Sequence, residues 1–228
     1  MTRPWFVRNT EFSARVDPRD HKTFMRVCPE RRYERGATIF RTGDPATDLH
    51  VIAEGQVKLV APAPGGHERI LAICGLDDFV GEAFLREAQR YRADAVALTP
   101  VVTCPMNREQ FLELALRAPT FTLSFAEILV EQLFGCRERL AYASDPVKQR
   151  LARALLEQAE RFGRPSAGGW CELLTELRHD ELAALISATR VSVSAAFAEL
   201  RAHGFVEGSR GRYRVYVSGL QGALDNQT

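Results

Sequence analysis

Arg190 opens a segment whose residue types suit contact with DNA bases. The stretch TRVSVS, from Thr189 to Ser194, puts hydroxyl side chains and Val191 beside this arginine. An arginine just inside the N-terminal end of a helix can donate two hydrogen bonds to guanine O6 and N7, worth about 1–3 kcal/mol of discrimination. Hydroxyls suit phosphates, and a valine suits a thymine methyl group. The segment therefore predicts Arg190 as a base reader, with Thr189, Val191, Ser192 and Ser194 around it; taken alone, a solvated surface arginine is the alternative.

Two short amphipathic helices are predicted to position this segment. The first has an apolar face at helical spacing, made of Leu182, Leu185 and Ile186. The second has another, made of Val193, Ala196, Phe197 and Leu200. The break at 187–189 ends in Thr189, a residue type favoured as a helix N-cap. This spacing predicts a helix-turn-helix, whose second helix projects its N-terminal end into a DNA groove.

The flanking sequence predicts a winged form of that motif. A helix precedes it, with Val147, Leu151, Leu155 and Phe162 at helical spacing. The segment FVEGSRGRYRVYV follows it and predicts a hairpin around Ser209, Arg210 and Gly211. This end of the chain is locally basic, with Arg201, Arg210, Arg212, Arg214 and His203 against the single acid Glu207. The further DNA-contact candidates are Arg178, His179, Arg210 and Arg212; a solvated hairpin is the alternative for the wing.

The first half of the chain has a different texture, which predicts an α+β protein overall. Short alternating segments broken by Gly and Pro run from about residue 35 to 103 and are typical of a compact antiparallel roll. The stretch APAPGG predicts a hairpin loop within it. A helix follows at NREQFLELALRAP, and then a second helix of about 25 residues, ended by Asp145-Pro146.

The long helix is predicted to form a homodimer. Its apolar residues fall largely on one side and are Phe121, Phe125, Ile128, Leu129, Leu133, Phe134 and Leu140. Such a stripe could be buried against its own domain. A stripe that meets a second copy in a coiled coil explains the length of the helix better.

Bulk properties exclude several classes of protein. Lys and Arg total 30 against 29 Asp and Glu, so the net charge of +1 gives no global attraction to nucleic acid or membrane. The five cysteines form no CxxC pair, and their odd number argues against a disulfide framework and for a reducing cytoplasm. The five histidines are isolated, so we expect no metal or haem and no enzyme of the metal-binding cupin type. No secretory signal or long apolar run is visible, so no membrane association is expected.

The segment HDELAALISATRVSVSAAFAELRAHGFV resembles the DNA-binding domain of the cyclic AMP receptor protein (CRP/FNR) superfamily of bacterial transcription regulators. TRVSVS is most similar to the branch that contains the cyanobacterial global nitrogen regulator. GHERILAICGLDDFVGE resembles the family's sensor roll, the long helix its dimer helix, and Asp145 its hinge. The resemblance spans about residues 25–217. It implies a cytoplasmic bacterial regulator that binds double-stranded DNA as a homodimer at a near-palindromic site, with RNA polymerase as a further partner.

The resemblance also implies an architecture and an operator. A cyclic-nucleotide-binding-type β-roll (jelly roll) is expected over 1–118, a dimerisation helix and hinge over 119–145, and a winged helix-turn-helix over 146–228. Family members that read the best-known half-site carry a glutamate and a second arginine where this chain has Val191 and Ala195. The operator is therefore expected to be related but less strictly specified, or specified partly by DNA shape.

Within the roll, the family carries a phosphate-binding cassette that Gly81, Glu82, Ala83 and Arg92 resemble, including the spacing from the glycine to the arginine. In that cassette the glycine allows close backbone approach, the carboxylate accepts the ribose 2′-hydroxyl, and the arginine binds the cyclic phosphate. The resemblance thus implies cyclic AMP as a possible effector.

Other positions depart from the family's cyclic AMP contacts. Ala93 stands where Ser or Thr is usual, and Phe134 and Gly135 stand where the dimer helix usually presents hydroxyls to adenine. Three interpretations stay open: a cyclic nucleotide with altered contacts, another anion such as 2-oxoglutarate, or no ligand, with Arg92 paired to Glu82 or Asp94.

Overall fold

The computed structural model describes residues 29–62 and 68–225, and within them the chain forms two compact units. Among the described residues, the first unit comprises 29–62 and 71–136, and the second comprises 68–70 and 137–225. The strands are β1 Arg31–Tyr33, β2 Thr38–Phe40, β3 Asp48–Glu54, β4 Val57–Pro62, β5 Glu68–Cys74, β6 Phe79–Val80, β7 Asp94–Ala97, β8 Val101–Asn107, β9 Gly163–Pro165, β10 Trp170–Leu173, β11 Val206–Ser209 and β12 Arg212–Tyr216. The helices are α1 Arg108–Arg117, α2 Pro119–Ala141, α3 Val147–Phe162, α4 His179–Leu185, α5 Arg190–Ala202 and α6 Val217–Asp225.

Two four-stranded sheets form the predicted roll. Their strand orders are β1-β8-β3-β6 and β2-β7-β4-β5. Strand β3 is buried on both faces, since its residues alternate between the inter-sheet core and the helices that cover the outer face. Phe79 of β6 packs edge to face against Phe125 of α2, with ring centroids 5.0 Å apart. The predicted hairpin loop APAPGG lies mostly outside the described residues.

His50 is a buried titratable group of the roll. It is 3% exposed, and its Nδ1 lies 3.2 Å from Thr103 Oγ1. Burial lowers the pKa of His50 to about 4, with a further lowering from Arg31 and an opposing effect of Asp48. The neutral imidazole is therefore part of the folded core.

The second unit has the predicted order of three helices and a hairpin, with additions. Strands β9 to β12 form one sheet in the order β11-β12-β10-β9, and the hairpin turn is the two-residue loop Arg210-Gly211. Arg164 and Pro165, at the start of the segment RPSAGG that follows α3, pair with β10 as part of β9. Helix α6 was not predicted.

Two other expectations need correction. The apolar residues of α2 lie on two faces rather than one: Phe121, Phe125 and Ile128 are buried in the roll, whereas Leu133 and Phe134 are exposed. The cysteines were expected to form no disulfide framework and to suit a reducing cytoplasm, but Cys104 is disulfide-bonded. Cys74, Cys136 and Cys171 form no disulfide, and Cys28 lies outside the described residues.

Candidate nucleic-acid interface and ligand pocket

The predicted helix-turn-helix is present and presents Arg190 at the N-terminal end of α5. Thr189 is the N-cap, and its Oγ1 accepts a hydrogen bond of 3.1 Å from the backbone N–H of Ser192. The hydroxyls of Thr189 and Ser192 lie 2.8 Å apart. The Arg190 side chain is 71% exposed and the neighbouring Val191 is 79% exposed. Capping thus occupies Thr189, while Arg190 and Val191 project from the surface.

His179 holds the two helices of the motif together. Its Nδ1 lies 2.9 Å from Ser194 Oγ, and its ring stacks on Phe197 at 4.7 Å between centroids. Burial lowers the pKa of His179, and the positive charges of Arg190 and Arg201 lower it further. His179 and Ser194, both predicted as DNA contacts, therefore contact each other and fix the start of α4 against α5.

The arginines of this surface fall into two groups. Arg178, Arg190 and Arg210 line one pocket of about 500 Å³ between α4, α5 and the wing turn. Arg212 and Arg214 lie outside that pocket, and each contacts an acid more closely than the 3.6 Å between Arg190 Nε and Asp180 Oδ1. Arg212 Nε donates to Glu176 Oε1 at 2.6 Å. Arg214 Nε donates to Glu207 Oε2 at 2.6 Å, and its guanidinium lies 4.9 Å from the Trp170 ring centroid.

Arg150 braces the turn of the motif from α3. Its guanidinium donates to the backbone carbonyls of Ile186 and Ser187. Its Nε donates to the Asp145 carbonyl at 3.0 Å. Ser187 has a positive φ of 53°, so this brace stabilises a conformation that a side chain disfavours. Sequence reasoning missed this role, because Arg150 looks like any polar residue of an amphipathic helix.

The predicted cassette lies between β6 and β7 and begins with Gly81. The backbone of Gly81 has φ 94°, and an added Cβ would lie 2.8 Å from the Asp48 carbonyl oxygen. Residues Glu82–Leu85 form a single 3-10 turn that buries Phe84 in the core. Glycine is required here by conformation and by close packing.

Tyr91 anchors the other end of the cassette. Its hydroxyl donates to the Asp48 carbonyl at 2.8 Å and lies 3.1 Å from the Asp48 backbone N–H, which donates to it. Its ring stacks on Phe40, with centroids 3.8 Å apart. Burial raises the pKa of Tyr91. Sequence reasoning missed this residue, and its only sign was its place beside Arg92.

Arg92 and Glu82 are exposed and, within the part of the chain that the structure describes, neither forms an ion pair or a side-chain hydrogen bond. Asp94 Oδ1 instead accepts from the Thr42 backbone N–H at 2.7 Å. The ion pairs of Arg92 with Glu82 or Asp94, which the ligand-free interpretation expected, are therefore absent among the described residues. Arg92 borders an open pocket of about 580 Å³.

The remaining cassette candidates offer no polar side chains. Ala83 is half-buried and Ala93 is buried. On α2, Phe134 is exposed and Gly135 is half-buried. Two residues before Phe134, Gln132 Nε2 donates to the Phe79 carbonyl at 3.1 Å and so connects α2 to the strand that precedes the cassette.

Within residues 29–62 and 68–225, no group of three or more His, Cys, Asp or Glu side chains could hold a metal ion. No single helix there is long and apolar enough to cross a membrane; α4 and α5 meet the criteria only as a pair, bent by 104°.

Two family models match most of this architecture. The model described as a cyclic nucleotide-binding domain matches residues 30–118, and the model described as a Crp-like helix-turn-helix domain matches residues 149–221.

Relatives of known function resemble the chain over most of its length. The CRP-like cAMP-activated global transcriptional regulator of Mycobacterium tuberculosis is 30% identical over 76% of this chain and 78% of its own. The cyclic AMP receptor protein of Thermus thermophilus is 31% identical over 83% of this chain and 85% of its own. The global nitrogen regulator of Synechococcus elongatus is 30% identical over 75% of this chain and 78% of its own.

Solved structures share the fold. A CRP-family transcriptional regulator from Thermus thermophilus superposes with a TM-score of 0.70 at 25% identity, over 86% of this chain and 96% of that one. The global regulator CLP of Xanthomonas campestris, described as c-di-GMP responsive, superposes with a TM-score of 0.74 over 88% and 99%. Because its sequence identity is only 22%, this structure shows similarity of fold and nothing more.

Proposed function

Because the chain belongs to the CRP/FNR family of transcription regulators, we propose that it binds a near-palindromic DNA site as a homodimer and that a cyclic nucleotide in its roll modulates this binding. RNA polymerase is the proposed protein partner of the DNA complex. The family assignment makes the chain a regulator and not an enzyme.

Base reading rests on Arg190. The N-cap contact of Thr189 fixes the start of α5, so the exposed guanidinium leaves the helix at its N-terminal end, which is the end that a helix-turn-helix inserts into the major groove. The pocket that Arg190 shares with Arg178 and Arg210 is lined by three guanidinium groups and one carboxylate. Guanidinium groups at such a surface suit phosphate contacts, which position the motif without reading sequence.

The proposal of a homodimer is based on the exposed apolar face of α2. Leu123, Ala126, Val130 and Leu133 follow the a and d spacing of a heptad, and all four are exposed. An apolar a/d seam in water favours association with a second helix. Two recognition helices in such a dimer need to lie about 34 Å apart, one DNA turn, to enter successive major grooves.

The proposal of a cyclic nucleotide ligand is based on two charged side chains of the cassette. Glu82 and Arg92 have no protein partner in the described residues, and Gly81 lets the backbone approach closely. These groups fit the ribose and phosphate of a cyclic nucleotide, since a carboxylate accepts from a hydroxyl and a guanidinium donates to a phosphate. Ala93, Phe134 and Gly135 offer no side-chain hydrogen bond, so weaker discrimination among purine bases is expected. An effector would act by binding the DNA-competent state more tightly than the other state.

DNA selection from a random pool tests the regulator. The expected result is one enriched near-palindromic motif. Arg190→Ala should weaken binding to this motif by about 1–3 kcal/mol per contacted guanine and relax selection at that base pair. Arg117→Ala serves as the control, because Arg117 is an exposed arginine of the first unit, paired with Glu113. Equal losses on the selected and random DNA would exclude Arg190 as a base reader.

Isothermal calorimetry tests the ligand, with cyclic AMP, cyclic GMP and 2-oxoglutarate as separate titrants. Arg92→Ala should abolish the heat of the cyclic nucleotide, whereas Arg86→Ala, an exposed cassette arginine without an ion pair in the described residues, should retain it. Heat with 2-oxoglutarate alone would replace the cyclic nucleotide by a dicarboxylate. No heat with any titrant, together with tight DNA binding, would mean that the regulator works without these ligands.

A further inference from the structure

Among the described residues, Asp180 is the only acid that lines the pocket shared by Arg178, Arg190 and Arg210. Its Oδ1 lies 3.6 Å from Arg190 Nε. Neither of the other two arginines forms an ion pair within the described part of the chain. Of the three guanidinium groups in the pocket, Asp180 therefore pairs with that of Arg190, at the N-terminal end of α5.

Asp180 contacts the Nε side of the Arg190 guanidinium, which is not the side that binds a guanine. Arginine carries five N–H donors in a planar fork, and its two Nη groups can bind guanine O6 and N7 together. A carboxylate on Nε leaves that Nη edge open. It also limits the many rotamers of a long side chain, whose freedom carries about 2 kcal/mol.

Stability of the fold does not explain the pair. The side chains are 71% and 67% exposed, and ion pairs with such exposure contribute little to folding. The adjacent acid, Glu181, already accepts a hydrogen bond from the Arg178 backbone N–H at the start of α4. An acid at a DNA-facing surface also repels phosphates, so its presence there has a cost in affinity.

The position of Asp180 relative to Arg190 is built into the packing. Asp180 follows His179, which contacts Ser194 and stacks on Phe197 of α5. Since α4 is thus fixed against α5, the carboxylate stands at a set place beside the recognition helix. The residue after Arg190 is Val191, which has no carboxylate. The acid beside Arg190 is therefore Asp180 of the neighbouring helix.

We infer that Asp180 is a positioning residue that orients Arg190 toward a base and weakens binding to random DNA. This inference rests on the proposed function, since it requires that Arg190 reads sequence. Its consequence is a separation of roles within the pocket: one oriented arginine for a guanine, and two unpaired arginines for phosphates.

Fluorescence anisotropy on the selected site and on random DNA tests the inference with Asp180→Asn, Arg190→Ala and the double variant. Asparagine keeps a polar side chain in the first turn of α4, and a thermal melt checks that the variant folds. Asp180→Asn should tighten binding to random DNA and reduce the ratio of selected to random affinity by about 3- to 10-fold. In the Arg190→Ala background the same change should leave the ratio unaltered.

The control is Glu172→Gln, which removes an acid paired with Arg164 and should leave the ratio unchanged. Replacing the contacted guanine by 7-deazaguanine should cost the wild type more affinity than it costs Asp180→Asn. The inference is overturned if Asp180→Asn tightens binding to both DNAs equally. It is also overturned if Asp180→Asn changes the ratio of selected to random affinity in the Arg190→Ala background. If the wild type shows no preferred sequence and Arg190→Ala changes nothing, the proposed function itself fails.

Discussion

Arg210 and Arg214 lie on the same wing, yet they should contribute differently to the salt dependence of DNA binding. Arg210 is exposed in the two-residue turn and has no partner in the described residues. Arg214 is bound to Glu207 at 2.6 Å and lies over Trp170. A cation that already has an acid beside it releases fewer counterions when it meets a phosphate. Arg210→Gln should therefore flatten the salt slope more than Arg214→Gln.

The magnitude follows from counterion release. Each phosphate neutralised on B-DNA contributes about 0.9 to the slope of log K against log salt. One Arg210 per protomer gives a loss of about 1.8 in the slope for a dimer. Between 50 and 200 mM salt the wild type should thus lose about 12-fold more affinity than Arg210→Gln. For Arg214→Gln we expect less than about half of that change in slope.

The assay is fluorescence anisotropy over a salt series on the selected and on random DNA. Arg210→Gln should lower the slope on both, since a phosphate contact carries no sequence information. Arg164→Gln is the control, because Arg164 is an exposed arginine of the same unit, paired with Glu172 at 2.7 Å. Equal slopes for Arg210→Gln and Arg214→Gln would refute the reasoning, as would an effect of Arg210→Gln on the selected site alone.

Three further predictions concern stability and assembly. Gly81→Ala should destabilise the roll by at least about 1 kcal/mol more than Gly43→Ala, because both have a positive φ but only Gly81 lacks room for a Cβ; thermal melts measure the difference. His50 favours the neutral form when folded, so its contribution to stability is complete above its unfolded pKa of about 6.5 and is lost as pH falls toward the folded pKa of about 4. Urea unfolding should show a loss of about 2 kcal/mol between pH 7 and pH 5 that His50→Gln removes. Val130→Glu should shift the protein toward monomer in light scattering, whereas Leu76→Glu, an equally exposed site off the helix, should not.

Each of these has a contrary outcome. Equal melting temperatures for the two glycine variants would mean that the neighbouring carbonyl yields without cost. An unchanged pH slope in His50→Gln would assign the acid lability to other groups. A dimer that survives Val130→Glu would move the interface away from the exposed face of α2.

Local periodicity made much of the fold predictable. The apolar spacing of α5 predicted its buried face, because side chains three and four apart share one side of a helix in any context. Thr189 was predicted as a cap for a similarly local reason, since its hydroxyl bonds a backbone N–H three residues on. The wing turn at Arg210-Gly211 followed from two alternating runs around a glycine.

The two faces of α2 show where periodicity stops. A helical pattern identifies apolar residues, but it does not state which of them meet the roll and which meet water. Phe125 packs on Phe79, far away in sequence, while Leu133 stays exposed. Only the packed roll distinguishes a core face from a face that is available to a second copy.

The sequence by itself determined that the chain carries a helix-turn-helix, because spacing along the backbone specifies it, and the resemblance to the family pointed to the Gly-Glu and Arg cassette. The tertiary structure decided which charges are free. Arg212 is bound by Glu176, 36 residues away, whereas Arg92 and Arg210 have no partner in the described residues. An ion pair depends on distance in space, and folding brings together residues whose separation along the chain says nothing of that distance.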